Sequence, residues 1–258
     1  MLTTPPRIEA MARVRSVVER HYGLAQVALV VAFVESYELL RHVMTPNWQL
    51  ALQHAQKVVS WEQVAHIEWE EGLQQTFLRI PDLVRAMNVF YFVGHFVLTS
   101  VFFFWLYHRS RPAYRRFRDG FLTATAIALV IHWKFPTAPP RLANIGLVDT
   151  LRYLSNIDIG SPTSSAFSNP VAAVPSLHAG WALGVGLGLV LYARPLFWRL
   201  VGVVYPVAVA LTIVVTGNHF VFDALMGYAV MAAGFVIAWL LFDRRRDARL
   251  RPVDAASA

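Results

Sequence analysis

Cysteine is absent from the 258 residues, which excludes disulfides and thiolate metal sites. Charge is scarce too. Only 15% of residues are charged while 56% are hydrophobic, a balance unlike that of a soluble globular domain. No small-residue cleavage site closes the first apolar run, Tyr22 to Leu40, so a retained helix is expected there rather than a signal peptide. No internal repeat or low-complexity tract divides the chain, and residues 1–258 read as a single membrane-embedded domain. The net charge of +7 forms no basic face: its arginines sit in short clusters between apolar runs. That is the pattern of membrane topology, and it argues against nucleic acid as a partner.

What is present is apolar length. Runs near 22–40, 87–107, 121–133, 176–192, 200–216 and 220–242 predict six spans, the third short for a bilayer's roughly 20 residues. The expected fold is all-α, a polytopic six-helix transmembrane bundle. Arginines fix its orientation. They gather in the tail 1–20, the second-to-third connection (Arg109, Arg111, Arg115, Arg116, Arg118), the fourth-to-fifth connection (Arg194, Arg199) and the tail 243–258. By the positive-inside rule both termini are cytoplasmic, in a multi-pass cell-membrane protein. Two segments then face outward. Residues 44–86 carry Val58, Trp61, Val64, Ala65, Glu68, Leu73 and Phe77 at helical spacing, predicting amphipathic helices on the outer surface or capping the bundle. Residues 134–174, rich in Pro, Ser, Thr and Asn, predict a long irregular loop of the kind that carries function.

Three clusters fall on that outer face. Lys134 and Arg141 flank F-P-T-A-P-P, whose prolines stiffen the connector and hold two cations at a set separation. Such a pair suits a phosphate, with a snorkelling interface anchor as the rival role. In V-P-S-L-H-A-G-W, Pro175 and Ser176 mark a helix start and place His178 in its first turn. Unpaired first-turn amides make such a helix end an anion site. His219 and Asp223 stand four apart at the start of the last span, as a histidine needs for its orientation to be fixed by a carboxylate. A metal pair would share that spacing, but no further ligands follow it, and no cofactor is implied. Within the second span, Asn88, Tyr91 and His95 share a face, either as a headgroup pocket or as an interhelical hydrogen-bond cluster. Glu35 and Glu38 are expected to pair with Arg41 or water, and Gly184, Gly186 and Gly188 to permit close helix packing.

Taken in order, K-x6-R, P-S-L-H and H-x3-D resemble the signature of the type-2 phosphatidic-acid phosphatase superfamily. F-P-T-A-P-P-R-L at 135–142, A-V-P-S-L-H-A-G at 173–180 and N-H-F-V-F-D at 218–223 look most like its inositolphosphotransferase branch, which includes fungal inositol phosphorylceramide synthase. The likeness runs from about Asn88 to Gly227. It departs from the common phosphatase pattern at Leu142, where proline is usual, and at Ile213, where an arginine is usual; the branch also lacks that arginine.

The resemblance implies a metal-independent, two-step reaction on a lipid phosphate ester at the extracytoplasmic face. His219 attacks phosphorus, Asp223 orients it, and His178 protonates the leaving alkoxide before activating water or an alcohol such as inositol. Lys134, Arg141 and Ser176 hold the phosphoryl oxygens. Branch likeness favours transfer to an alcohol. A plain phosphatase on a prenyl or glycerolipid phosphate, a non-catalytic lipid or anion transporter, and a scaffold partnering another membrane protein through 44–86 are the alternatives.

Overall fold

The computed structural model describes residues 21–29, 31–32, 47–157 and 171–243, in two units, Met1–Thr45 and Pro46–Ala258. In the first unit residues 22–29 are helical. About half of the first expected span lies outside the described residues, as do Glu35, Glu38, Arg41 and nearly all of both arginine-bearing tails. The described residues are helical throughout apart from loops and one isolated β-bridge, Thr137 to Ala172.

The second unit opens with α1, Trp48–Ala65. Asn47 caps it by accepting from Leu50 N at 3.0 Å, and His66 ends it in the left-handed region at φ 56°. Ala51, Ala55, Val58 and Glu62 recur at steps of four, three and four, so they share one face, and all are buried. The apolar part of that stripe packs on Ala138, Ala143, Val171, Val174 and Phe220. A second short helix, α2, spans Glu70–Phe77. Thus 44–86 does contain amphipathic helices, and α1 lies against the loops that carry the three motifs.

Helix α3 runs from Pro81 to Arg109, with proline in its first turn and a π turn at Phe90–Gly94. It starts six residues ahead of the expected span. The next helix, α4, is Arg111–Lys134. Here the sequence reading needs correcting, because the second-to-third connection is the single residue Ser110. Its Oγ accepts from Ala113 N at 3.4 Å, and Pro112 adds a preset φ, so Arg111 to Arg118 begin a helix instead of filling a loop. The long 134–174 loop is likewise more ordered than expected, with a 3-10 turn at Pro140–Leu142 and a short α5, Thr150–Ser155, capped by Asp149.

Helices α6 (Leu177–Tyr192), α7 (Leu196–Val215) and α8 (Val221–Asp243) complete the unit. Three helices, α3, α7 and α8, are long and apolar enough to cross a membrane, and α6 is a shorter apolar helix. The chain is a helical membrane protein. Helix α6 packs against α7 and α8, and α8 against α4. Gly184 abuts the Phe121 ring, Gly186 the backbone of Gly202, and Gly188 the Phe102 ring, so each of the three serves a different neighbour. At one end of the unit Arg116 Nε meets Asp243 at 3.7 Å and Arg118 Nε meets Asp119 at 2.8 Å. At the other end, α8 begins against the loops described next.

Candidate active site

The K-x6-R connector is tied at both ends. Thr137 N donates to Val171 O (2.7 Å) and Ala173 N to Thr137 O (3.1 Å), which joins the first motif to the approach to the second. Arg141 N donates to Gly217 O (2.9 Å) and Arg141 Nε to Asn218 Oδ1 (2.9 Å), which joins the first to the third. Gly217 turns the chain at φ +70°, a region that favours glycine, and a Cβ there would lie 3.1 Å from Arg141 Cβ.

Ser176 is the N-cap of α6. Its Oγ accepts from Ala179 N at 3.3 Å and its own N donates to Asp223 O at 2.9 Å. The start of the helix that bears His178 is thereby bonded to the first turn of the helix that bears Asp223. The glycines make this approach possible: a Cβ on Gly227 would sit 2.2 Å from Ser176 O, and one on Gly180 2.8 Å from Gly227 O.

His219 stands just before α8, and its Nδ1 lies 3.0 Å from Ala173 O and 3.3 Å from Asp223 Oδ2. A carbonyl oxygen can only accept, so Nδ1 carries the proton and Nε2 keeps its lone pair. Asp223 is fully buried, and its Oδ2 also accepts from Phe220 N at 2.9 Å. Burial pushes His219 down to about 4, and the nearby Arg141 guanidinium adds to this against the raising effect of the Ala173 carbonyl. Its imidazole is therefore neutral at physiological pH. The His178 ring centroid is 5.9 Å from that of His219. His178 Nε2 lies 3.3 Å from Tyr91 O and so donates to it, while the Tyr91 ring stacks on His178 at 4.3 Å. Tyr91 belongs to the π turn of α3, a local widening that recurs at functional sites.

The remaining expected residues divide. Arg141 is buried, and its guanidinium pairs with Asp149 at 3.1 Å beside His219. Lys134 is exposed at the end of α4, with Nζ 3.8 Å from the Trp133 ring centroid, which is how an interface anchor sits. His95 is buried 4.9 Å from His178, ring to ring, and its Nδ1 meets the Tyr205 hydroxyl at 3.1 Å. Asn88 faces elsewhere. Its amide nitrogen donates to Thr150 O and Ser155 Oγ, both at 2.9 Å, and its oxygen accepts from Thr150 Oγ1 at 2.9 Å, which fastens α5 to α3. Ile213, at the position where the common pattern has arginine, is buried with Ala179, Ala182, Val209 and Ala224. Among the described residues no cluster of His, Asp and Glu suits a metal ion.

Sequence reasoning missed several residues that hold the site. Asn218 and Asp149 bracket Arg141. His54 Nδ1 meets Pro136 O at 2.8 Å and stacks on Phe135, while Gln74 bonds both the N and the O of Val148, together with Val215 O. A signal existed in α1: His54 and Glu62 are polar residues on or beside its apolar stripe.

No curated protein and no solved structure matches the chain. The family model described as the PAP2 superfamily matches residues 56–237, a stretch that holds every motif above and, up to the last turns of α8, all three helices long and apolar enough to cross a membrane. With that match covering well over half the sequence, the chain belongs to the PAP2 superfamily, whose members are phosphatases.

Proposed function

We propose that this chain cleaves a lipid phosphate ester through a phosphohistidine on His219, and passes the phosphoryl group to water or to an alcohol. The observation that carries this reading is the His219 tautomer. With Nδ1–H held by Ala173 O and Asp223, the Nε2 lone pair is the free one, and it belongs to a neutral imidazole.

In the first step Nε2 attacks phosphorus and the bond from phosphorus to the ester oxygen breaks. His178, entering as the imidazolium, gives its Nδ1 proton to the departing alkoxide and keeps Nε2–H on Tyr91 O, while Asp223 offsets the positive charge that develops on His219. In the second step His178 takes a proton from water or alcohol, whose oxygen attacks phosphorus and frees His219. Reacting atoms must close to about 3–3.5 Å, and the two imidazoles are near neighbours, with ring centroids 5.9 Å apart. The Arg141 guanidinium and the first-turn amides of α6 would stabilise the oxygens, the largest contribution in most phosphoryl transfers. Lys134 would act at the rim, meeting the charged headgroup on its way in. Tyr91 and His95 line the α3 side.

Topology follows from the same reading. Six spans with both termini cytoplasmic put the Arg116–Asp243 end of the unit inside and the His219 end at the outer leaflet. Among acceptors, inositol or a similar alcohol is favoured by the branch-like motifs, and water gives the plain phosphatase.

Purified protein should be incubated with a panel of prenyl, glycerolipid and sphingolipid phosphate esters, with and without inositol. Free phosphate identifies a hydrolase, and a new phosphate ester of the alcohol identifies a transferase. Binding without either product supports the transporter and rejects the reading. His178→Ala is expected to cut kcat on alkyl esters by about 10²–10⁴-fold. An aryl phosphate, whose leaving group needs no proton, should recover much of that loss; an equal loss on both would remove the acid role from His178.

A further inference from the structure

The first turn of α8 leaves three consecutive amides exposed to capping, and three carboxylates from three different elements take them. Asp223 Oδ2 accepts from Phe220 N at 2.9 Å, Glu70 Oε1 from Val221 N at 2.7 Å, and Glu62 Oε1 from Phe222 N at 2.7 Å. A helix start carries only about half a positive charge, so three full negative charges are more than it can balance. Glu62 is 1% exposed and Glu70 6%, so water does little to screen the excess. Their acceptor oxygens sit on adjacent amides, Val221 N and Phe222 N, which makes the two buried carboxyls close neighbours of like charge. Like charges that close disfavour ionisation of both, which calls for a proton on one of them.

We propose that Glu62, holding a proton, and Glu70 together seat the first turn of α8 and so position Asp223 against His219. This rests on the phosphohistidine reading for its catalytic consequence, but not for the pair itself. The charged groups acting on Glu62 are Glu70 from α2 and Asp223 from α8, both negative. Burial, then those two neighbours, push Glu62 up to about 9 against the lowering effect of the Phe222 amide. Glu62 therefore keeps its proton across the physiological range. Above it, the new charge would force Glu62 off the Phe222 amide and let the His219–Asp223 turn drift. Both glutamates are positioning residues, since neither is placed in contact with the phosphate. They also give residues 44–86 a role in the site, with α1 and α2 holding the turn on which the nucleophile stands.

The test uses the full chain purified in detergent, with Glu62→Gln and Glu62→Ala. Glutamine keeps an oxygen for Phe222 N and offers Glu70 an amide hydrogen in place of the proton. Glu62→Gln should therefore turn over at pH 7 like the unaltered protein but lose the fall in kcat expected of the unaltered protein as pH rises through about 9. Glu62→Ala should lower kcat about 10²-fold with KM unchanged, the size of effect expected when reacting groups are misplaced by about 1 Å. Thermal melting supplies a readout that needs no substrate. A carboxyl whose folded value is raised stabilises fully below its ordinary range and loses that contribution as pH climbs to its folded value. Across pH 5 to 9, the Tm of the unaltered protein should therefore fall relative to that of Glu62→Gln. Parallel melting curves would overturn the proton on Glu62, and an unchanged kcat in Glu62→Ala would overturn the positioning role. If neither protein turns over any ester, the functional reading fails while the melting comparison still decides the pair.

Discussion

Replacing His219 with alanine is expected to abolish turnover, by about 10⁴-fold or more, while the melting temperature stays close to that of the unaltered protein. The size follows from removing the atom that bonds to phosphorus; other residues can orient a substrate but cannot replace a missing nucleophile. The small structural effect follows from what the ring contributes. His219 Nδ1–H is shared between Ala173 O and Asp223 Oδ2, whereas the turn itself is held by backbone bonds: Asn218 N and His219 N both donate to Ile213 O, at 3.0 and 3.1 Å. Rapid-quench labelling with a phosphate-labelled ester should give an acid-labile phosphoprotein in the unaltered chain and none in His219→Ala. Turnover by the variant would dismiss His219 as nucleophile. The pH profile carries a second sign. Because burial holds His219 at about 4, the neutral, attacking form persists well below the usual histidine range, and the acid limb of kcat/KM should fall as pH drops through about 4 instead of about 6.5. A limb near 6.5 would mean that the attacking ring is exposed to water in the working protein.

Much of the site was legible in the sequence because its chemistry is written in short, ordered motifs. Ser176 announced a cap, and it caps α6; the i, i+4 spacing of His219 and Asp223 announced an orienting carboxylate, and the two side chains do meet. What the motifs could not show was how they reach one another. Ala173 links the first and third motifs, its N–H donating to Thr137 O and its carbonyl accepting from His219 Nδ1, and backbone groups leave no trace in residue type. Boundaries were harder still. Hydropathy marks where a helix is greasy, not where it is hydrogen-bonded, so α4 looked like a short span beginning at Phe121 although its first ten residues are polar helix. Asn88 and His95 illustrate the limits of face arguments. Both lie on the same stripe of α3, yet seven residues of rise carry them to different neighbours, Thr150 for one and His178 for the other. Glu62 was overlooked because a lone acid on an amphipathic surface helix usually faces water; its partner amide is 160 positions away in the chain.

The largest structural loss is expected at Gly227. A methyl group there would stand 2.2 Å from Ser176 O and 3.2 Å from Gly180 N, and both are backbone atoms that no rotamer change can move aside. Relief requires α6 and α8 to separate, which strains the bond from Ser176 N to Asp223 O and draws His178 away from His219. Overpacking of this kind costs about 1–3 kcal/mol, a fall of roughly 2–12 °C in Tm for a chain of this size. Activity should fall further than stability, by about 10²-fold below the melting transition, because the displaced contact is the one that sets the distance between the two histidines. Gly72→Ala is the matched control. It lies exposed in α2 with open space where its Cβ would go, and alanine suits a helix interior better, so Tm there should hold or rise. If Gly227→Ala kept both Tm and kcat, the close crossing of α6 and α8 could not be what assembles the site, and the separation of His178 from His219 would have to be set by the loops alone.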